Sequence, residues 1–290
     1  MSERERRADD ILAILGSEDL AIQVAIENDI LYAEMICPLC ERPMKANGLR
    51  WRCNNRSCKR KEISIFVDTI FYKSHLTVNK VIMIGYLWAT GLSASQICHI
   101  TGVNKNTITF YMNSYRTACS SYIETTAELI GGDQIIVEVD ESKFGKRKFN
   151  RGHRVTGSWV VGGIERTDRK RFFAVVVESR DKDTLWEVIS THVAEGSVIY
   201  TDCWAAYNIL DEMEVEHGTV NHSLHYKDPE TGVHTNTIEG LWNGIKMQIP
   251  PRRYGRNDLQ HCIFEVMWRK QHKDDLWTAL LELLRDTRFE

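Results

Sequence analysis

After Gly131-Gly132 the hydrophobic period of the chain changes, and the order of the segments that follow constrains the fold more than any other feature. Ile135-Ile136-Val137-Glu138-Val139-Asp140 is an apolar run that predicts a strand ending in a carboxylate. Residues 159–164 and 172–178 predict two more strands, joined in an antiparallel meander. Residues 182–194 carry Leu185, Trp186, Val188, Ile189 and Val193 at helical spacing. Val198-Ile199-Tyr200-Thr201-Asp202 predicts a further strand ending in a carboxylate. A short helix (205–210), a short strand (215–220), a helix (236–249) and a two-piece helical tail (258–284) complete the series.

Three strands, a helix, a strand, a helix, a strand and a helix is the order of an α/β, RNase H-like fold, a mixed sheet flanked by helices. Two acids at strand ends could be coincidence, and a lone acid there is usually a cap or turn residue. The last helix adds a third acid. Asn236, Glu239, Asn243 and Lys246 fall on one face, and Ile238, Leu241, Trp242, Ile245 and Ile249 on the other. Trp242 therefore reads as core rather than as a base-stacking wedge. Asn is a weak helix former, so the polar stripe is a poor choice for stability alone, although a solvated face would look the same. If Asp140, Asp202 and Glu239 converge, they offer all-oxygen ligands for two Mg²⁺ or Mn²⁺ ions, the chemistry of phosphoryl transfer.

Upstream, four of the eight cysteines form a tight cluster. Cys37-Pro-Leu-Cys40 and Cys53-(four residues)-Cys58 are two short pairs, the pattern of a structural Zn²⁺ site with four thiolates and no open position. Next come residues 78–126, which predict helices with a turn at Thr90-Gly91-Leu92-Ser93. Within them, 92–108 reads as helix, turn, helix. Ser93 and Gln96 have capping-box spacing, Gly102 sits at the turn, and Asn104 caps the second helix. Lys105, Asn106 and Thr107 begin that helix and Arg116 continues it, side chains suited to base edges or phosphates. Residues 8–34 predict helix with a break near Gly16-Ser17.

A formal net charge of −3 is less basic than a nucleic-acid-binding chain usually shows, but its distribution matters more than the sum. The first 34 residues are acid-rich. Basic residues gather in three blocks: Arg50 to Lys61; Lys143, Lys146, Arg147, Lys148, Arg151 and Arg154; and Arg252, Arg253 and Arg256. No apolar run is long enough to span a bilayer, and the first ten residues lack the apolar core of a signal peptide, which predicts an intracellular protein with no membrane partner.

Together, VEVDESKFGKRK around Asp140, VIYTDCWAAY around Asp202 and NHSLHYKDPETGVHTNTIEGLWNGIKMQIPPR around Glu239 resemble DDE transposases of the Merlin superfamily and related bacterial insertion sequences. The resemblance covers roughly 35–272. It implies that Asp140, Asp202 and Glu239 are the catalytic, metal-binding triad, that Lys246 touches DNA, and that His222 and His234 belong to the block before the third acid. The basic loop after Asp140 would line the DNA. A second zinc site made of His217, His222, His225 and His234 is the weaker alternative, its spacing being irregular. The implied activity is cut-and-paste: hydrolysis at the terminal inverted repeats, then attack of the 3′-OH on target DNA. A catalytically silent DNA-binding regulator, or a structure-selective nuclease, are the competing readings. Pairing two ends implies a homodimer or larger assembly, acting in the nucleus of a eukaryotic host or otherwise in the cytoplasm with the chromosome.

The resulting organisation is a helical arm (1–34) that could serve dimerisation, a zinc ribbon (35–70), a helix-turn-helix domain (76–130), the RNase H-like catalytic domain (133–272) and a helical tail (273–290).

Overall fold

The computed structural model describes residues 3–145, 157–213, 215–221, 228–229 and 232–289. The chain divides into two compact units, one formed by residues 1–122 together with 272–290, the other by residues 123–271.

The first unit begins with helices α1 (Glu3–Gly16) and α2 (Glu18–Glu27). Ser17 breaks them, its hydroxyl accepting from Leu20 N with Glu18 and Asp19 in the first turn, where acids favour a helix start. Helix was expected to run to residue 34, but α2 stops at Glu27. The Asn28 side chain donates to the Val24 carbonyl, and Asp29 takes a left-handed φ of +57° that the helix cannot continue through. A three-stranded antiparallel sheet follows, β1 (Lys45–Asn47), β2 (Arg50–Arg52) and β3 (Glu62–Ser64). Then come α3 (Val78–Ala89), α4 (Ala94–Thr101) and α5 (Lys105–Thr126).

The C-terminal helix, Leu276–Asp286, folds back into this unit. Its Trp277 meets Tyr86 of α3 edge-on at 5.5 Å, and Asp275 pairs with Arg7 of α1. Gly85 of α3 is needed for this approach, because a Cβ there would lie 2.9 Å from the Tyr115 ring and 3.2 Å from Leu280. The apolar run of the tail is thus spent on the chain's own core: Leu280, Leu281, Leu283 and Leu284 are buried.

The second unit is built on a five-stranded mixed sheet. Its elements are β4 (Ile130–Gly131), β5 (Ile136–Phe144), β6 (Ser158–Glu165), β7 (Phe172–Val177), α6 (Lys182–His192), β8 (Val193–Ala194), β9 (Val198–Asp202), a 3-10 turn (Ala205–Asn208) leading into α7 (Ile209–Glu212), β10 (His217–Val220), α8 (Asn236–Gln248) and α9 (Arg256–Gln271). The sheet order is β10-β9-β5-β6-β7, parallel among the first three and antiparallel among the last three, while β4 pairs separately with β8.

On one face Val137, Val139, Val161 and Phe173 pack with Leu185, Val188 and Ile189 of α6 and with Leu210. Each such side chain contributes about 1.5–3 kcal/mol when fully buried. On the other face α8 lies on β5 and β6, and α9 lies on the edge strand β7. Gln260 of α9 covers that edge, accepting from Val176 N at 2.7 Å and donating to Ala174 O at 3.1 Å. An edge so paired no longer offers itself to other strands.

Asp140 was expected at a strand end, and here the structure corrects the sequence. β5 continues to Phe144, because its pairing with β6 runs from Val137↔Glu165 to Phe144↔Ser158. Only the ladder to β9 stops early, at Glu138↔Tyr200. Asp140 therefore lies inside a strand that is paired on one side and open on the other.

Candidate active site and metal centre

Side chains alternate along a strand, so Glu138, Asp140 and Ser142 share the face of β5 that meets α8. Glu138 is fully buried. Its carboxylate accepts from Thr237 N at 2.8 Å, Ile238 N at 2.9 Å, Thr237 Oγ1 at 2.7 Å and Arg166 Nε at 2.6 Å. A buried charge is costly unless paired and hydrogen-bonded, and here a guanidinium and the orphan amides of a helix start do both. Arg166 also donates to the His234 carbonyl, meets His234 Nδ1 at 2.9 Å, and covers the Tyr200 ring at 4.9 Å. Glu138 thereby ties the first turn of α8, which carries Glu239, to the strand that carries Asp140.

Two residues on, Asp140 accepts from the Trp242 indole N–H at 3.0 Å. Trp242 is 4% exposed, as a core residue should be, yet it also holds this carboxylate. Gly162, the register partner of Asp140, makes room for it: a Cβ there would lie 2.6 Å from the indole. Continuing the β5–β9 register by two residues sets Asp202 level with Asp140 on the same face. Burial pushes the Asp140 carboxyl up to about 6; the Glu141 amide and Trp242 oppose this, and the charges of Asp202 and Glu239 add to it. The Asp140 carboxyl on β5 thus senses Asp202 on β9 and Glu239 on α8. Asp202 is further fixed by Trp204 N, which donates to its Oδ1 at 2.9 Å.

The polar stripe of α8 divides. Lys246 donates to Ser142 Oγ at 2.6 Å and lies over the Phe144 ring at 5.2 Å; burial lowers its pKa, against the pull of Asp140. Asn243 is exposed, and the amide oxygen of Asn236 is buried with no hydrogen-bond partner among the described residues. On the opposite face of β5, Glu141 is half-buried. Burial, then the charges of Asp140 and Asp202, push it up to about 7, with Arg180 opposing. The buried Tyr207 hydroxyl lies close to it, and burial, followed by the charge of Glu141, raises the Tyr207 pKa. Sequence reasoning passed over Glu138, Arg166, Glu141 and Tyr207. The alternation of β5 was the available signal, since it puts Glu138 on the face of Asp140.

Of the remaining basic candidates, Lys143 and Arg252 are exposed, and Arg253 is half-buried 3.7 Å from Asp258. Lys146, Arg147, Lys148, Arg151, Arg154, His222 and His225 lie outside the described residues. Of the proposed histidine cluster, His217 engages Thr201 Oγ1 at 2.8 Å and Asp211 at 3.1 Å, while His234 belongs to the Arg166 network. Arg256 begins α9.

In the first unit, the Ser93–Gln96 capping box forms, Gly102 ends α4 at a φ of +67°, and Asn104 Oδ1 accepts from Asn106 N at 2.8 Å. Lys105 and Asn106 are exposed, and Thr107 is half-buried. Arg116 lies further along α5. It is 7% exposed and donates to Asn113 Oδ1 at 2.8 Å.

The cysteine sulfurs of Cys37, Cys40, Cys53 and Cys58 all lie within 4.8 Å of one another, the group drawn this closely among the described residues. Cys37 and Cys40 occupy the loop before β1, Cys53 follows β2, and Cys58 ends a 3-10 turn before β3. Left-handed residues turn the chain directly after each pair, Glu41 at +56° and Lys59 at +49°. Asn55 N donates to Cys53 Sγ at 3.4 Å. The Arg42 amide lowers Cys40 to about 6, while burial and the neighbouring sulfurs push Cys58 up to about 12. Four soft donors at this spacing fit a tetrahedral Zn²⁺.

Comparison with known proteins supplies independent findings. Residues 128–270 match the ISXO2-like transposase domain. The chain is 32% identical over 97 residues to an uncharacterized transposase-like protein of Haemophilus influenzae, covering 32% of this chain and 77% of that one. Among solved structures, a pre-cleavage Mos1 transpososome is 9% identical, covering 69% of this chain and 76% of that chain, at a TM-score of 0.17. The NurA nuclease from Sulfolobus solfataricus is 15% identical, covering 62% and 55%, at 0.14. Superpositions this poor add nothing to the fold, which rests on the chain's own strand pairing.

Proposed function

Because the chain belongs to the ISXO2-like transposase family of insertion-sequence DDE transposases, we propose that it is an active cut-and-paste enzyme whose catalytic groups are Asp140, Asp202 and Glu239. The observation that carries this reading is the placement of Asp140 and Asp202 level with each other on the sheet face that meets α8, the helix that carries Glu239. The sheet order β10-β9-β5-β6-β7 is that of an RNase H-like fold and supports the assignment.

The carboxylates would hold Mg²⁺ or Mn²⁺, hard cations that suit oxygen donors. When bound, such ions activate an attacking oxygen and stabilise the leaving one. The chain's own groups do the rest. Trp242 fixes the orientation of Asp140, and Glu138 with Arg166 fixes the start of α8 and so Glu239. Lys246, on the same helix, would meet a DNA phosphate, as would Lys143 and Arg252. The four cysteines would hold a structural Zn²⁺ beside the basic stretch Arg50–Lys61. The α4–α5 pair would act as a helix-turn-helix, offering Lys105 and Asn106 to double-stranded DNA at the terminal inverted repeats. Pairing of two ends calls for a homodimer or larger assembly, acting wherever the host keeps its chromosome.

The test is strand joining: duplexes ending at the exposed 3′-OH of the element, a plasmid target, and Mg²⁺ or Mn²⁺. Joined products that depend on the cation support the reading. Stable binding of the ends with no joining and no cleavage in either cation would favour a DNA-binding regulator instead.

A further inference from the structure

The second unit exposes an aromatic and cationic cluster that the acid site does not use. Trp204 follows Asp202 by two residues and is 44% exposed. A single exposed indole needs no explanation by itself. This one is not isolated. The Arg180 guanidinium lies 4.7 Å from the centre of its ring and 3.8 Å from the centre of Trp159. Lys143, the register partner of Trp159, brings its ammonium to 5.1 Å from that same ring. Two indoles and two cations therefore gather on the face of the sheet opposite α8, next to the end of β9. Trp204 is also coupled to the acid site through its backbone, since its N–H holds Asp202 Oδ1 at 2.9 Å.

We propose that Trp159, Arg180 and Trp204 form a seat for an unpaired nucleobase of the DNA strand led to Asp202, with the exposed indole of Trp204 stacking on the base and Lys143 meeting the adjoining phosphate. This rests on the reading of the acid site given above. Every base has a π-face, so such a seat takes single strands with little regard to sequence. Indoles have few rotatable bonds, and a guanidinium lying against both rings keeps them in place before a base arrives. The cations match the strand's charge. The position suits a base displaced from the duplex at the point of cleavage, where the two strands must separate.

The experiment is equilibrium binding of the full-length, zinc-loaded protein to a labelled oligodeoxythymidylate and to an abasic strand of equal length, without divalent cation. The wild type binds the base-bearing strand more tightly. Trp204→Ala weakens that binding about tenfold and leaves the abasic strand within about twofold, while Trp204→Phe keeps most of the preference. Unchanged melting of both variants, expected for an exposed side chain, excludes misfolding. A Trp204→Ala variant that keeps the wild-type preference for bases overturns the seat, as does equal loss on both strands. Wild-type protein that nicks duplex DNA yet shows no preference for bases overturns the seat alone; failure to bind or nick any DNA overturns the acid-site reading beneath it.

Discussion

Glu138 and Asp140 stand two residues apart on one face of β5 in opposite electrostatic settings. Glu138 has a guanidinium and three further donors; Asp140 has an indole N–H, the Glu141 amide and two acids for neighbours. Glu138→Gln should therefore cost about 3 kcal/mol in urea unfolding, because Arg166 and the start of α8 lose a buried charge partner. An unchanged unfolding midpoint would contradict that role. Asp140 and Glu141, raised to about 6 and about 7 from 3.8 and 4.5, predict the pH dependence. Between about pH 4 and pH 7 the folded chain keeps protons that the unfolded chain has lost, so the contribution of these two groups to stability falls as pH rises. Melting in chelator at pH 5 and pH 7.5 should show this fall, and Asp140→Asn/Glu141→Gln should flatten it; equal slopes in both proteins would refute it. Asp140 was legible in sequence because it closes an apolar run. Glu138 was not, because its partners lie 28 and about a hundred residues away.

At the scale of elements, local signals and the antiparallel meander were read well, and the extent of pairing was not. The apolar periodicity of α6 and α8, the Ser93–Gln96 box and Gly102 are all written within a few residues. Ser93→Ala should cost about 1 kcal/mol, read as a lower melting temperature, through loss of the cap of α4. The extension of β5 past Asp140 was invisible, because residues 141–143 read as polar and are held as a strand by β6. The end of α2 was missed for a related reason: Asn28 and Asp29 stop the helix through their backbone and side-chain geometry, while the apolar pattern carries on through Ile30 and Leu31. Gly162→Val tests how β6 positions α8. The added side chain must displace Trp242, so cleavage should fall while terminal-repeat binding stays within about twofold. Full cleavage in this variant would show that the indole contact with Asp140 is dispensable.

At the scale of the molecule, the family match covers residues 128–270, nearly coincident with the second compact unit, and the cysteine cluster lies in the first. Zinc should bind once per chain. Its removal should expose the four thiols to a colorimetric reagent and lower the melting temperature, since binding energy at such a site is folding energy; a chain whose melting ignores chelation would contradict a structural metal there. The net charge of −3 concealed the basic blocks, and the helical arm and tail proved to bury apolar side chains within their own unit. The central claim is that Asp140, Asp202 and Glu239 act together on DNA. Its most direct test is cleavage of labelled duplex carrying the element's terminal repeat, in Mg²⁺ or Mn²⁺, by wild type and by Glu239→Gln. The account predicts cation-dependent nicking at the repeat boundary that the variant loses while still binding the repeat; a Glu239→Gln protein that cleaves at the wild-type rate would contradict it.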